Sequence, residues 1–200
     1  NPKECIKMSW LSHDDNVYKR SNNKEFNAHQ SGGRIVSFDK NTLLLSTGDF
    51  RDRSLPQNLE SGFGKILKID IYTGKSEIIT YGIRNPQGLY FSKKYQDLFL
   101  TDHGPNGGDE LNFQSILNVK NPQNFGWPTS SYGAHYGHGG YIRSKNGYVL
   151  EERRNADIYK EFPAYKSHTA HGFIEPLIQF SPSIGISQII EYSDPAYQIV

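Results

Sequence analysis

Three short segments of this 200-residue chain carry residue types that could act together chemically. The first, HQSGG, places His29 and Gln30 before a pair of glycines. A neutral imidazole, with an unperturbed pKa of about 6.5, suits a general base that works near neutrality. Gly32 and Gly33 would let the backbone approach a planar ligand closely. His29 is therefore a candidate base, and a hydrogen-bonded histidine at a strand end is the alternative.

The second segment, YGIRNPQG, spans residues 81–88. Arg84 is a permanent planar cation with five donors, and beside Asn85 it could hold carboxylate or quinone-like oxygens in two directions. Pro86 favours an extended conformation at Asn85, which predicts a rigid loop leading into the next strand. The same pair could instead be a hydrogen-bonded clip between neighbouring structural units, and the segment alone leaves both interpretations open.

The third segment, TDHGPNGGDELN, spans residues 101–112. Its Gly104-Pro105 and Gly-Gly pairs predict a tight loop after a strand, with backbone carbonyls aimed inward. Asp102, Asp109 and Glu110 add carboxylates, so the segment is rich in the hard oxygen ligands that Ca²⁺ prefers. The spacing of an EF-hand is absent. Solvated acids of an ordinary turn are the alternative interpretation.

Other conspicuous residues carry weaker signals. In NFGWP, Trp127 is predicted to be a packing aromatic within a turn, with no catalytic role. The seven histidines suggest zinc, but the loop pairs lack an accompanying carboxylate motif, and zinc binding is disfavoured. Those pairs are His135 with His138 and His168 with His171.

Composition sets the class of protein. The formal net charge is +1, which does not favour a nucleic-acid binder. The abundance of Gly, Tyr, Phe and Pro predicts an all-β chain. Cys5 stands alone, so an internal disulfide and a Cys-based zinc site are excluded. No apolar stretch is long enough for a membrane span, and any signal peptide is expected to be removed or to lie upstream.

Two segments that must position these residues look like copies of one unit. GRIVSFDKNTLLLSTGD (33–49) and QGLYFSKKYQDLFLTDHG (87–104) each predict a strand, a turn containing Lys and a second strand. Phe38 and Phe91 occupy matching places, 53 positions apart. Residues 64–79 predict another hairpin between the copies. Each unit would then hold four short strands, and a third copy is predicted to begin at residue 185.

Repeated four-stranded units of roughly 40 to 55 residues are typical of a β-propeller. At that period the chain would make about four blades of one partial propeller domain over residues 1–200. Residues 129–172 interrupt the pattern, and their length predicts a long functional loop insertion. A single β-sandwich with long loops is the alternative fold, but it leaves the similar copies unexplained.

The ordered motifs resemble the quinoprotein glucose/sorbosone dehydrogenase family, the soluble aldose sugar dehydrogenases. The resemblance runs from about residue 27 to the C-terminus and is specific because several independent motifs coincide in order and spacing. The motifs are HQSGGRI, STGD, GKILKID, YGIRNPQGL, DHGPNGGDELN, NFGWP and EPLIQFSPSIGISQI.

This resemblance implies a six-bladed β-propeller that binds pyrroloquinoline quinone (PQQ) and Ca²⁺ at the top of its channel. It also implies oxidation of aldose sugars at the anomeric carbon by hydride transfer to the quinone. His29 would be the catalytic base, and Arg84 would stabilise the charge that develops on the quinone oxygen. Gln30, Arg84 and Asn85 would contact the cofactor.

The metal ligands are also implied by the resemblance. Gly104 and Pro105 would give main-chain oxygens to the Ca²⁺ that binds the cofactor, so that the ion acts as a Lewis acid. Asp109 and Glu110 would serve a second, structural Ca²⁺ or brace the loop.

The chain departs from the family pattern at two positions. Glucose-active members carry Asp where this chain has Ala28, and Gln where it has Phe50, which puts substrate preference in doubt. The family's first blade and C-terminal section, with further basic cofactor contacts, have no counterpart here. We therefore expect the chain to be part of a larger enzyme, and we expect weak or no activity from it alone.

The resemblance further implies a sugar substrate, an electron acceptor and a periplasmic or secreted location, and a homodimer is a possible assembly. The main alternative function is a non-catalytic propeller that binds a protein or a glycan through the same face. The intact His-Gln and Arg-Asn pairs favour the enzyme, because a binding protein needs no base. A metal-dependent lactonase propeller lacks an evident set of inward Glu, Asn and Asp ligands.

Overall fold

A computed structural model describes residues 17–19, 25–27, 29–117, 121–135, 141–143, 149–152 and 156–192. The first strands are β1 (Val17–Lys19), β2 (Glu25–Asn27), β3 (Gly32–Ser37), β4 (Thr42–Thr47), β5 (Lys65–Asp70), β6 (Ser76–Tyr81) and β7 (Pro86–Ser92). The later elements are β8 (Asp97–Asp102), β9 (Asp109–Ser115), β10 (Gln123–Asn124), β11 (Tyr141–Arg143), β12 (Val149–Glu152), helix α1 (Ala156–Glu161) and β13 (Ile178–Phe180). A 3-10 turn spans Thr169–His171.

The first large sheet is an antiparallel meander of β3, β4, β5 and β6, extended by a parallel pairing of β6 with β10. The predicted hairpin at residues 64–79 is present as β5 and β6. Its turn forms because Asp70 Oδ1 accepts the backbone N–H groups of Tyr72 and Thr73. Gly74 then takes a left-handed φ of 69°, which glycine adopts without steric cost.

The second large sheet has the order β13-β9-β8-β7 and is antiparallel throughout. Its β7–β8 hairpin matches the β3–β4 hairpin of the first sheet, as the two sequence copies predict. β7 lies against β3, and the matching residues Phe38 and Phe91 stack with their ring centroids 4.7 Å apart. The repeat in the sequence is therefore a repeat in the structure, and the two copies pack on each other.

Apolar side chains that alternate along the strands form the core between the two sheets. The strands bury one face here because removing apolar surface from water is the main favourable term in folding. Lys65, at the start of β5, is fully buried in the same unit, where its Nζ donates to three main-chain carbonyls. The buried core residues are Leu44, Ile66, Ile83, Leu89, Phe91, Leu98, Leu100 and Phe125.

A long connection of residues 116–177 joins β9 to β13 and includes the predicted 129–172 insertion. Its described residues hold β10, the β11–β12 pair, α1 and the 3-10 turn. The described residues thus form two large sheets, whereas the repeat length predicts about four blades. The number of sheets is smaller because the long connection contains residues that the repeat length alone would place in further blades. Residues 185–192 of the predicted third copy have no assigned strand, and residues 193–200 lie outside the described residues.

Candidate functional site

The three chemical segments meet at one end of the two large sheets. β3 begins at Gly32 and β7 at Pro86, whereas β4 ends at Thr47 and β8 ends at Asp102. In an antiparallel sheet, the start of one strand lies beside the end of its neighbour. Residues 29–30, 84–85 and 103–105 therefore border the same edge, as the motifs predict for a common site.

Arg84 joins all three segments. Its side chain is buried, and its Nη1 donates to the carbonyl oxygens of His103 at 2.6 Å and Gly104 at 2.8 Å. With the Gln30 amide oriented to satisfy both partners, its oxygen accepts from Arg84 Nη2 at 2.6 Å. The guanidinium also lies 5.5 Å from the centroid of the Trp127 ring, within range of a cation–π contact. Arg84 thus connects the three segments of the site by direct contacts.

Asp49, in the STGD segment, is a buried carboxylate that the sequence did not single out. Its Oδ2 accepts the Trp127 indole N–H at 2.8 Å, and its Oδ1 accepts the backbone N–H of Arg51 at 2.8 Å. The Gln30 amide nitrogen donates to Oδ1 at 2.6 Å. Burial raises the pKa of Asp49 to about 6, although Arg84 and these hydrogen bonds oppose the shift.

Asp102, the last residue of β8, holds the Arg84–Asn85 turn by its backbone. Its Oδ2 accepts the Arg84 N–H at 2.8 Å, and its Oδ1 accepts the Asn85 N–H at 2.5 Å. Burial raises the pKa of Asp102 to about 7, and the neighbouring Glu110 adds to this effect. The position of the arginine therefore depends on an acid that lies 18 residues away in sequence.

Asn85 connects the two sheets. Its Oδ1 accepts from the Gly32 N–H at 3.3 Å and from Gln87 Nε2 at 2.8 Å, and its carbonyl accepts the His103 N–H at 3.1 Å. The Arg84–Asn85 pair therefore makes the clip contacts that the sequence allowed. Its predicted cofactor contacts stay a prediction.

The predicted base, His29, is exposed. It precedes a place where two chain segments with unusual backbone angles meet. Gln30, Phe50 and Arg51 all have a positive φ, of 61°, 51° and 60°. Such conformations of non-glycine residues persist only where the surroundings impose them. A Cβ on Gly48 would lie 1.8 Å from the Gln30 carbonyl oxygen, so glycine is required there.

The loop at residues 103–108 is as tight as its glycines predict. A Cβ on Gly104 would lie 1.6 Å from the Gly108 carbonyl oxygen. The predicted ligand carbonyls already accept donors, because Gly104 accepts from Arg84 Nη1 and Pro105 accepts from the Gly108 N–H at 3.0 Å. The Pro105 carbonyl also accepts from Ser183 Oγ at 3.3 Å.

Asp109 holds the backbone of residues 184–186 by hydrogen bonds. Its Oδ2 accepts the consecutive backbone N–H groups of residues 184–186, at 2.7 to 3.2 Å. Its buried Oδ1 has no hydrogen-bond partner in the described part of the chain. These contacts match the loop-bracing alternative for Asp109, and its predicted role as a calcium ligand stays a prediction.

Glu110 pairs with the long connection. Its Oε1 lies 3.4 Å from His168 Nε2, and its Oε2 accepts from Asn112 Nδ2 at 3.2 Å. His168 Nδ1 faces the Phe125 carbonyl at 3.0 Å. Burial lowers the pKa of His168, but the Glu110 carboxylate and other acceptors outweigh it, so the pKa is raised. Within the described ranges, no three His, Cys, Asp or Glu side chains form a group that could hold a metal ion.

The loop histidines for which zinc binding was disfavoured make other contacts in the part of the chain that the structure describes. His135 Nδ1 accepts from Arg53 Nε at 3.2 Å, and His135 Nε2 faces the Phe162 carbonyl at 2.8 Å. His171 stacks on Tyr165 at 3.7 Å. His138 and the departure position Ala28 lie outside the described residues.

The donor chemistry of the site fits a quinone with Ca²⁺. The carbonyl oxygens of His103 and Gly104 both accept from Arg84 Nη1, so this loop directs two main-chain oxygens towards one positively charged group. Ca²⁺ takes about six to eight oxygens, so the loop could supply only part of the shell and bound ligands the rest. Arg84 and Asn85 offer a planar cation and an amide for oxygens of a quinone.

The mainly β architecture, in which two copies of one hairpin unit pack on each other, is that of a partial β-propeller. The Glucose / Sorbosone dehydrogenase family matches residues 5–199. The chain therefore belongs to that family, and the sequence resemblance is confirmed.

The chain is similar to individual relatives and solved structures. The aldose sugar dehydrogenase YliI of Escherichia coli (strain K12) is 30% identical over 146 residues, which cover 66% of this chain and 38% of that protein. A crystal structure of the soluble aldose sugar dehydrogenase from Escherichia coli, in its apo-form, matches at 25% identity with a TM-score of 0.55, covering 82% of this chain and 45% of that one. The PQQ-bound aldose sugar dehydrogenase from Streptomyces coelicolor matches at 28% identity with a TM-score of 0.46, covering 76% and 36%.

The family match and the Escherichia coli structure confirm the propeller class. The chain spans less than half of the length of the relatives that it matches. None of the helices in the described residues is long and apolar enough to cross a membrane.

Proposed function

We propose that this chain carries the base and the cofactor contacts of a PQQ-dependent dehydrogenase that oxidises aldose sugars at the anomeric carbon. The observation that supports the proposal most strongly is the position of Arg84. Its side chain bonds to Gln30, His103 and Gly104, while its backbone is held by Asp102. One cation therefore organises all three predicted segments.

The chain offers distinct groups to each part of the cofactor. Arg84 and Asn85 would hold oxygens of the quinone, and Gln30 would support Arg84 from the opposite side. Gly104 and Pro105 would give carbonyl oxygens to Ca²⁺. When bound, the cofactor accepts a hydride from the sugar, and the metal ion assists as a Lewis acid.

His29 would take the proton of the sugar hydroxyl as hydride leaves the anomeric carbon. The histidine is exposed, so a substrate can reach it, and the following residue is fixed by bonds to Asp49 and Arg84. A neutral imidazole is a competent base at neutral pH. The anchoring of Gln30 thus limits the freedom of the adjoining base.

Arg84 would stabilise negative charge that develops on a bound quinone oxygen. A preorganised cation in a water-poor setting stabilises such charge more strongly than it would in water. The carbonyl oxygens of His103 and Gly104 hold the guanidinium in place. Asp102 contributes by fixing the turn that carries it.

Replacement of the base tests the catalytic proposal. In the full-length protein with PQQ and Ca²⁺, we expect His29→Ala to lower kcat for aldose-driven dye reduction by roughly 10²- to 10⁴-fold. PQQ binding should change little, because His29 acts on the sugar. His171→Ala is the matched control, since His171 is an exposed histidine stacked on Tyr165. Equal turnover in wild type and His29→Ala would contradict the assigned mechanism.

The wider setting of this activity also belongs to the proposal. We expect an aldose substrate, a separate electron acceptor and a periplasmic or secreted location, with a homodimer as a possible assembly. Saturable binding of a glycan or a protein without aldose-driven reduction would instead favour a binding propeller.

A further inference from the structure

A second cleft adjoins the proposed active site. It lies between residues 50–54, which follow β4, and residues 161–162 at the end of α1, and its volume is about 410 Å³. The Phe50 N–H donates to the Gln30 carbonyl at 3.2 Å, so the cleft and the His29–Gln30 segment share a wall. A ligand held at the site could therefore extend into this cleft.

Two arginines line the cleft. Arg51 is exposed, while burial lowers the pKa of Arg53. Asp49 partly offsets that effect, and the positive charges of Arg84 and Arg51 lower the pKa of Arg53 further. The positive charges of Arg84 and Arg51 thus act on Arg53 against the attraction of Asp49, and an anion in the cleft would be attracted to these arginines.

Arg53 is held in a defined orientation by a buried histidine. Arg53 Nε donates to His135 Nδ1 at 3.2 Å. Because Nδ1 accepts, the neutral ring carries its proton on Nε2, which donates to the Phe162 carbonyl at 2.8 Å. The bond to His135 uses only Nε, which leaves the two terminal nitrogens of Arg53 as a planar fork suited to a carboxylate.

The remaining lining residues limit the ligand. Asp52 Oδ1 accepts from the backbone N–H of Ser54 at 3.1 Å and from its hydroxyl at 2.5 Å, so this carboxylate is engaged within its own turn. Glu161 is exposed, and Phe50 and Phe162 add aromatic surface. The lining thus contains two arginines and two acids. This composition favours a ligand that carries one negative charge near the arginines and an apolar part beside the aromatic rings.

We propose that this cleft binds the carboxylate of a small organic anion through Arg51 and Arg53, with carbon atoms of the ligand against Phe50 and Phe162. The identity of the biological ligand rests on the proposed function. The carboxylate then belongs either to an acidic sugar substrate, such as a uronic acid, or to the quinone cofactor. Both sources share the same recognition chemistry.

Calorimetric titration of the cofactor-free protein with glucuronate and with glucose tests the site itself. We expect glucuronate to bind at least about tenfold more tightly than glucose, because only the acid can form charge-assisted bonds to the arginine fork. Arg53→Met and, as a second variant at an exposed position, Arg51→Met should each remove most of this preference. Lys75→Met, which removes one positive charge at the exposed β5–β6 turn, is the matched control.

Glu161→Gln provides a test in the opposite direction. Removing the like charge at the cleft should tighten glucuronate binding by a few-fold, whereas glucose binding should stay constant. Equal binding of glucuronate and glucose to wild type would overturn the proposal for an acidic sugar. Binding of every probe that is insensitive to both arginine variants would overturn the site altogether.

Titration with PQQ distinguishes the two sources of the carboxylate. If Arg53→Met weakens PQQ binding and wild type does not prefer glucuronate, the cleft serves the cofactor. If wild type binds glucuronate through the arginines but fails to bind PQQ, the cleft stands and the proposed dehydrogenase function fails. If PQQ binds wild type and Arg53→Met equally and glucuronate shows no preference, the cleft proposal fails and the dehydrogenase function stands.

Discussion

The β3–β4 and β7–β8 hairpins are copies of one unit, but the acids at their ends hold different kinds of partner. Asp49, which follows β4, accepts from the side chains of Trp127 and Gln30 and from one backbone N–H. Asp102, at the end of β8, accepts two consecutive backbone N–H groups. The first acid orders side chains, and the second orders a turn of the main chain.

This difference divides the proposed site into two parts. The turn held by Asp102 presents Arg84 and Asn85, whose chemistry suits any quinone-dependent member of the family. The cluster around Asp49 adjoins Phe50, where the chain departs from the glucose-active pattern. A main-chain anchor tolerates few changes, whereas a side-chain cluster can be altered residue by residue. We therefore propose that the Arg84 and Asn85 contacts to the cofactor depend on the β8 end, and that substrate preference depends on the β4 end.

The largest expected effect is the loss of the main-chain anchor. Asp102→Ala would leave the N–H groups of the buried Arg84 and the half-buried Asn85 without their acceptor. We expect the free energy of unfolding to fall by about 4 kcal/mol, because two hydrogen bonds to one carboxyl group are lost. Urea denaturation measures this change. Asp97→Ala, at the opposite end of β8, is the matched control, and an equal loss in the two variants would contradict the anchor role.

The pH dependence of stability sharpens the comparison between the two acids. Burial raises the pKa of Asp49 from 3.8 to about 6, so the folded state binds more protons than the unfolded state between these values. Its contribution to the unfolding free energy is therefore full below about pH 4 and is lost as the pH rises through about 6. By linkage, this loss amounts to about 3 kcal/mol.

Asp49→Asn should remove that part of the pH dependence, which chemical denaturation at a series of pH values would show. The decrease in unfolding free energy that Asp102 contributes should remain, and it should continue as the pH rises to about 7, because the pKa of Asp102 is raised to about 7. An Asp49→Asn profile that matches wild type would contradict the pKa assignment for Asp49.

The smallest expected effect concerns the indole bond, which has no counterpart at Asp102. Trp127→Phe should lower the unfolding free energy by about 2 kcal/mol, because one hydrogen bond to a carboxyl group is lost. Because the indole N–H lowers the pKa of Asp49, its loss should also move the midpoint of the pH-dependent fall upward. In a double-mutant cycle, the effect of Trp127→Phe should shrink in the Asp49→Asn background. Strict additivity would argue against the coupling.

The sequence predicted the scaffold from local patterns, whereas the resemblance to the family implied that the three segments form a common site. Alternation of apolar residues and a repeated turn fix the strands, and equivalent places in two copies must lie at matching ends of their sheets. The stacked Phe38 and Phe91 confirm this reasoning. The tight loop at residues 103–108 was likewise readable from its glycines.

The buried polar partners could not be predicted, because they connect residues that are distant in sequence. Trp127 was expected only to pack, but it also donates to Asp49 from 78 residues away. The pairing of His168 with Glu110 depends on the path of the long connection, which has no periodicity. One signal was present for Asp49 and Asp102, since each copy places an acid at the end of its second strand.

The most direct test of the central claim is a titration of the purified full-length protein with PQQ, followed by cofactor absorbance with and without Ca²⁺. The proposed site predicts saturable binding that requires Ca²⁺ and is weakened at least about tenfold by Arg84→Met, which removes the charge-assisted donors. Absence of binding by the folded protein, or binding that is indifferent to both Ca²⁺ and Arg84→Met, would contradict it.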